Sequence, residues 1–174
     1  MKTLNQYIKE KLIINQRFDE KLIINKDYHD NVIVVKSFDE LRKIIEDRYN
    51  KLGPGTEQKP IDFNDIDVSD LDSFCNKYNT GIFSGIKFNY IDISYWDVSN
   101  VKEMRNMFYL SEKLKSVGDI SEWDVSNVTS MTSMFDGCIL FNQDLSKWNV
   151  SKVRWYSYMF DGCPIKDEYK PKFK

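Results

Sequence analysis

The chain has 174 residues, one histidine, three cysteines and a formal net charge of -2 from 25 basic and 27 acidic side chains. That length suits one well-buried domain with an extension. The even charge balance, with a mildly acidic C-terminal two-thirds, argues against nucleic-acid tracking and gives no basis for membrane-surface electrostatics. No stretch has the apolar length of a membrane span or a secretory signal, no lipoprotein-type cysteine follows Met1, and Cys75, Cys138 and Cys163 lack metal-ligand spacing, so reduced thiols are expected.

Residues 1–30 read as an N-terminal extension. Thr3 and Gln6 have the spacing of a capping box and Leu4, Tyr7, Ile8 and Leu12 share one face, which predicts a short helix. The hexamer EKLIIN then occurs at Glu10–Asn15 and again at Glu20–Asn25. This duplication reads as an amphipathic tether, as a pair of docking peptides, or as a segment packed on the following cap. The only histidine, His29, lies in the polar stretch Lys26–Asn31 and reads as a solvated loop residue.

Residues 31–60 are expected to form a strand-helix cap. Val32-Ile33-Val34-Val35 is a β-branched run that predicts a strand. Ser37 and Glu40 make a second capping box opening a helix through Leu41, Ile44, Ile45, Tyr49 and Leu52, which Gly53-Pro54-Gly55 ends.

Residues 61–165 carry an internal repeat. The phrase DISEWDVSNV from Asp119 to Val128 returns as DLSKWNVSKV from Asp144 to Val153, with an earlier copy at Asp92–Val101 and a worn one at Asp62–Leu71. A period of about 25 residues predicts a solenoid, in which each unit gains a core by stacking on its neighbours. After the phrase, apolar residues such as Val128, Met131, Met134 and Phe135 fall on a helical stripe, with Ser126 or Asn127 placed to cap it and Gly137 and Gly162 placed to end such helices. The stretch before the Trp reads as a strand and turn. Stacking would align Trp96, Trp123 and Trp148 in one ladder, Phe108, Phe135 and Phe160 in a second, and Met107, Met134 and Met159 beside it. Each Trp-Met-Phe set would contribute about 10 kcal/mol before entropy is counted. The first unit is degenerate, with Ile66 in the Trp place and Lys77 in the Met place. Residues 166–174 form a lysine-rich tail.

The acidic run from Asp62 to Asp72 offers alternating oxygen ligands but lacks the glycine and terminal glutamate of an EF-hand loop. Its residues fall instead into two columns, Asp62, Asp92, Asp119, Asp144 and Asp67, Asp97, Asp124, Asn149, which predict turn-capping side chains. No metal, cofactor or catalytic residue is expected.

The stretch Phe141–Ser151 followed by Val153 and Met159-Phe160, together with WDVSNVTSMTSMF from Trp123 to Phe135, resembles the repeat of BspA-like leucine-rich-repeat surface proteins, over residues 62–163. The cap helix and its following loop are similar to what precedes the repeats in short members from gut bacteria and their phages. The resemblance implies an α/β fold: a short leucine-rich-repeat-like solenoid with one short strand and one short helix per unit. It also implies protein binding or adhesion without catalysis. The absence of a signal or anchor departs from exported members and points to a cytoplasmic or phage-associated place.

The expected function is therefore a monomeric, non-enzymatic interaction module that presents a repeat-built surface to a protein partner. Candidate partner-binding residues are Tyr95, Glu122 and Lys147, which share the column before the Trp, and Trp155 and Tyr158, which replace Ser130 and Ser133 of the unit before. The alternative is a structural component of a phage particle or cell-envelope assembly, docked through residues 1–30.

Overall fold

The structure, a computed structural model, describes residues 32–173. The expected first helix, both EKLIIN segments and His29 lie outside the described residues. Strand β1 (Ile33–Val34) leads into helix α1 (Phe38–Leu52). The Ser37 cap and the Gly53 stop act as expected, while Glu40 reaches back to the Lys36 amide instead of that of Ser37. Ser37 Oγ accepts the Glu40 N–H at 3.2 Å, Glu40 accepts the Lys36 N–H at 2.8 Å, and Gly53, at φ +78°, donates its N–H to Tyr49 C=O at 2.8 Å. Leu41 and Ile45 are the buried stripe of α1.

The remaining strands are two residues each: β2 (Ile61–Asp62), β3 (Ile66–Asp67) and β4 (Ile91–Asp92), with a 3-10 turn at Asp167–Tyr169. They make two parallel two-stranded sheets. β1 pairs with β3 in the register Ile33 to Ile66, and β2 pairs with β4 in the register Ile61 to Ile91. Elsewhere adjacent repeats meet through single parallel bridges, as along Ser73, Glu103, Ser130 and Trp155.

The expected leucine-rich-repeat-like solenoid is therefore corrected. Among the described residues there is no curled or closed sheet and no strand-helix pair in each repeat, and the only α-helix is α1. The cause lies in where the backbone amides go. A helix needs N–H groups directed at the carbonyl four residues back. Here the N–H groups of Met104, Asn106, Phe108 and Leu110 donate to the carbonyls of Ser130, Thr132, Met134 and Asp136, at 2.9, 3.0, 2.9 and 2.9 Å. Those of Met131, Ser133, Phe135 and Gly137 donate to Trp155, Ser157, Met159 and Asp161, at 2.7, 3.0, 2.9 and 2.8 Å. Equivalent residues Asn106, Ser133 and Tyr158 adopt left-handed φ of 55°, 51° and 59°, which breaks any right-handed helix at the same place in each repeat.

These amide rows hold the repeats side by side around one apolar core that runs from Val35 to Ile165. Phe83, Phe108, Phe135 and Phe160 stack in series, with ring centroids 5.3, 5.2 and 5.7 Å apart. Trp96, Trp123 and Trp148 are buried, as are Met107, Met134 and Met159. The Trp96 and Trp148 indole N–H groups donate at 2.9 Å to Phe63 C=O and Ile120 C=O, one repeat earlier. The first aromatic of the series is Phe83 and not a residue near Lys77. The motif Ile82-Phe83-Ser84-Gly85 repeats the pattern Met134-Phe135-Asp136-Gly137, displaced by extra residues in the first unit. Gly81 lies so close to the next repeat that a Cβ there would meet Asn106 O at 1.8 Å.

Candidate functional site

The carboxylates do local work. In both predicted columns the side-chain oxygen accepts an amide two residues on: Asp62 from Asn64, Asp67 from Ser69, Asp92 from Ser94, Asp97 from Ser99, Asp119 from Ser121, Asp124 from Ser126, Asp144 from Ser146 and Asn149 from Ser151, at 2.9 to 3.3 Å. These are Asx turns, and they orient the carboxylates along the backbone instead of toward a shared ion. Hydrogen bonds from Ser126 hold the Asp124 carboxyl below the usual range, and Ser146 does the same for Asp144. No group of three or more His, Cys, Asp or Glu among the described residues could hold a metal ion.

The thiols are free and muted. Burial pushes the Cys75 thiol up to about 11 and the Cys163 thiol upward, and it drives Cys138 far above the ordinary thiol range. The Cys138 thiol donates to Phe108 C=O at 3.1 Å. Thiolate, the reactive species, is thus disfavoured at all three positions.

Of the predicted partner-binding residues, the structure separates two groups. In the column before the Trp, Lys147 and Glu122 are exposed and pair with each other at 2.7 Å across neighbouring repeats, and Glu122 raises the Lys147 ammonium pKa. Tyr95 in the same column is half-buried, its N–H donating to Asn64 Oδ1 at 2.9 Å. Trp155 and Tyr158 lie instead on the last repeat, 55% and 69% exposed. Ser130, one repeat earlier in the Trp155 column, is 1% exposed.

Tyr156 joins them on this end surface, and its ring stacks on Phe173 of the tail, centroids 4.0 Å apart and planes 6° from parallel. Beside these rings runs an open depression of about 480 Å3 lined by Tyr156, Tyr158, Met159, Phe160, Asp161, Lys170, Pro171 and Phe173. The participation of the tail was not foreseen. An aromatic at Phe173 within a lysine-rich stretch is the signal that could have suggested it.

The opposite end of the molecule is closed by α1. The Arg42 Nη1 group donates to the carbonyls of Gly81, Ile82 and Ser84 at 3.3, 2.9 and 2.9 Å. Arg48 donates to Asp62 C=O, grips both oxygens of Asp65 at 2.6 Å, and lies 5.2 Å from the centre of the Phe63 ring. One end of the repeat row is thus sealed by guanidinium groups, whereas the other presents aromatic side chains to solvent. No helix among the described residues is long and apolar enough to cross a membrane.

Residues 76–168, just over half of the chain, match the model of a family described as Mycoplasma protein of unknown function, DUF285. No curated protein and no solved structure matches the chain. The resemblance to BspA-like leucine-rich-repeat proteins is corrected by this match together with the two small sheets and single helix among the described residues, and the surface-protein and adhesion roles that rested on it lose that support.

Proposed function

We propose, for a chain that belongs to the DUF285 family of Mycoplasma proteins of unknown function, a non-enzymatic role as a monomeric module that binds a protein partner at its C-terminal end surface. The observation that carries this reading is the exposure of Trp155 and Tyr158, 55% and 69%, at columns that hold Ser130 and Ser133 one repeat earlier. A buried Trp or Tyr covers about 150 to 250 Å2, so leaving two of them half in water forgoes several kcal/mol at about 25 cal/mol per Å2. Trp and Tyr are also the residues that most often dominate binding energy at protein interfaces. Neither side chain belongs to the buried core, so truncating both should cost little stability.

The test pairs stability with capture. The variant Trp155→Ala/Tyr158→Ala is expected to unfold within about 1 kcal/mol of the parent, as exposed substitutions do. Immobilised parent protein is expected to retain a defined partner that the double variant does not, as read by mass spectrometry. Equal capture by both proteins, or unfolding of the variant, would remove the end surface as the site. A companion protein beginning at Asn31 separates binding by the repeats from docking through residues 1–30.

A further inference from the structure

Within the row of repeats the hydrogen bonds run mainly in one direction. Met131, Ser133, Phe135 and Gly137 donate forward to the next repeat, as Met104, Asn106, Phe108 and Leu110 do before them. One step further along, the equivalent donors are the N–H groups of Tyr156, Tyr158, Phe160 and Gly162. None of these four has a hydrogen-bond partner among the described residues. The tail closes only the neighbouring row, where Leu145 donates to Tyr169 C=O at 2.8 Å, and then turns aside to stack Phe173 on Tyr156.

The end where acceptors would be exposed is different. The carbonyls of Ile82 and Ser84 correspond to Met107 and Tyr109 and to Met134 and Asp136, which accept from a preceding repeat. Arg42 already fills both. Among the described residues a second copy of this chain therefore has no free acceptor row to offer at that end, and two donor rows cannot pair with each other. Head-to-tail stacking through the described repeats is blocked, and donors that meet no protein acceptor favour a different polypeptide.

We infer that the Tyr156–Gly162 edge binds an extended peptide segment of another protein, which places alternate backbone carbonyls on the N–H groups of Tyr156, Tyr158, Phe160 and Gly162. This rests on the protein-binding reading above and specifies the occupant. Added-strand recognition takes its affinity from main-chain bonds and its selectivity from side-chain pockets. The inner face of the Phe160 ring is stacked on Phe135, and its half-exposed outer face asks for an apolar side chain, so the ligand combines carbonyls at alternate positions with an apolar residue between them. The carbonyl of Arg154, following Asp72, Lys102 and Thr129 in its column, is left to accept one amide from the ligand.

The test uses the full-length 15N-labelled chain and, as probe, an end-blocked synthetic peptide of residues 128–138 with serine at its last position. In the fold this segment presents the acceptors of Ser130, Thr132, Met134 and Asp136. The expected result is a shift and an at least tenfold slowing of hydrogen exchange at Tyr156, Tyr158, Phe160 and Gly162, with Ser157 between them unaffected. No change at these amides up to millimolar peptide would overturn the inference. So would shifts confined to the column of Tyr95 and Lys147. Titration with inorganic phosphate is run in parallel, and the same four amides responding to phosphate but not to peptide would make the edge an anion site and overturn it too. If Trp155→Ala/Tyr158→Ala abolishes partner capture while bound partner leaves the four amides unprotected, the protein-binding reading stands and this inference falls. If capture is unaffected by that variant but the four amides are protected, the aromatic anchors fail and the backbone edge stands.

Discussion

Replacing Arg42 with methionine tests whether the carbonyl end of the repeat row needs its guanidinium seal. Methionine keeps most of the aliphatic stem and the helix propensity of α1, so the change removes donors and little else. The two shorter contacts, to Ile82 C=O and Ser84 C=O at 2.9 Å, are charge-assisted; the third, to Gly81 C=O at 3.3 Å, is weaker. Hydrogen bonds to charged groups contribute about 1.5 to 3 kcal/mol each, but the Arg42 side chain is 21% exposed and water can reach part of the site. Loss of Glu46 as an ion-pair partner adds little, because such helix pairs contribute only about 0.3 to 0.5 kcal/mol. The expected net loss is about 2 to 3 kcal/mol. With a urea slope near 2 kcal/mol per M, the midpoint falls by about 1 M, and the melting temperature by about 6 °C. Lysine at the same position should recover less than half, since all three carbonyls accept from the Arg42 Nη1 atom, which lies one bond beyond the reach of a lysine ammonium. A midpoint change below about 0.3 M at unchanged slope would refute the view that these carbonyls require a protein donor.

Three further outcomes follow from the same geometry. Gly81→Ala would place a Cβ 1.8 Å from the Asn106 carbonyl oxygen and should cost more than about 3 kcal/mol, whereas Gly85→Ala, at φ +74° with nothing within 4 Å, should cost only about 1 to 2 kcal/mol, both read by urea denaturation. The folded Asp124 carboxyl titrates below its unfolded value near 3.9, so its contribution is present at neutral pH and is lost as pH falls through the folded value; the melting temperature should hold down to about pH 5 and drop below about pH 4. Asp124→Asn should keep the turn at neutral pH, as Asn149 does in its own repeat, while Asp124→Ala should not. In native alkylation at pH 8 followed by mass spectrometry, Cys138 should be modified last, since it is the most deeply buried thiol; rapid labelling there would contradict its packing against Phe108 C=O.

The cap was legible in the sequence because its determinants are local. Ser37, Glu40 and Gly53 act on backbone within a few residues of themselves, so composition and spacing suffice to place α1. The Asp columns were legible for the same reason, each turn closing on an amide two residues away. The helix expected in each repeat failed because an apolar stripe reports which side chains turn inward and not where the amides point. Met131, Met134 and Phe135 do face the core, but their backbone is committed to Trp155 and Met159 or to an internal turn. Left-handed φ at Asn106, Ser133 and Tyr158 had no warning beyond Asn106 itself, since Ser and Tyr rarely adopt it. The Arg42 seal spans about 40 residues of sequence, and nothing in the spacing of α1 marks that arginine apart from its neighbours. The two candidate groups differed in a way that alignment of the repeats partly exposed: aromatic residues substituted into serine columns stand out, whereas the pairing of Glu122 with Lys147 emerges only when the repeats lie side by side.

The one-way amide rows also give the molecule an electrical axis. In most sheets the peptide dipoles largely cancel, as strand dipoles alternate. Here successive rows of N–H to C=O bonds point the same way from the first repeat to the last, and among the described residues they outnumber the return bonds at the Pro54, Asp72, Asn89, Lys102 and Thr129 carbonyls. Their sum leaves a partial negative pole where α1 sits and a partial positive pole at the final repeat, much as aligned peptides do along a helix. Arg42 and Arg48 bring donors to the carbonyls of the first pole, each guanidinium being also paired with a carboxylate, Glu46 and Asp65. At the other pole the field would draw carboxylate-bearing chains toward the edge and weaken with added salt, so the molecule would orient an approaching chain before touching it.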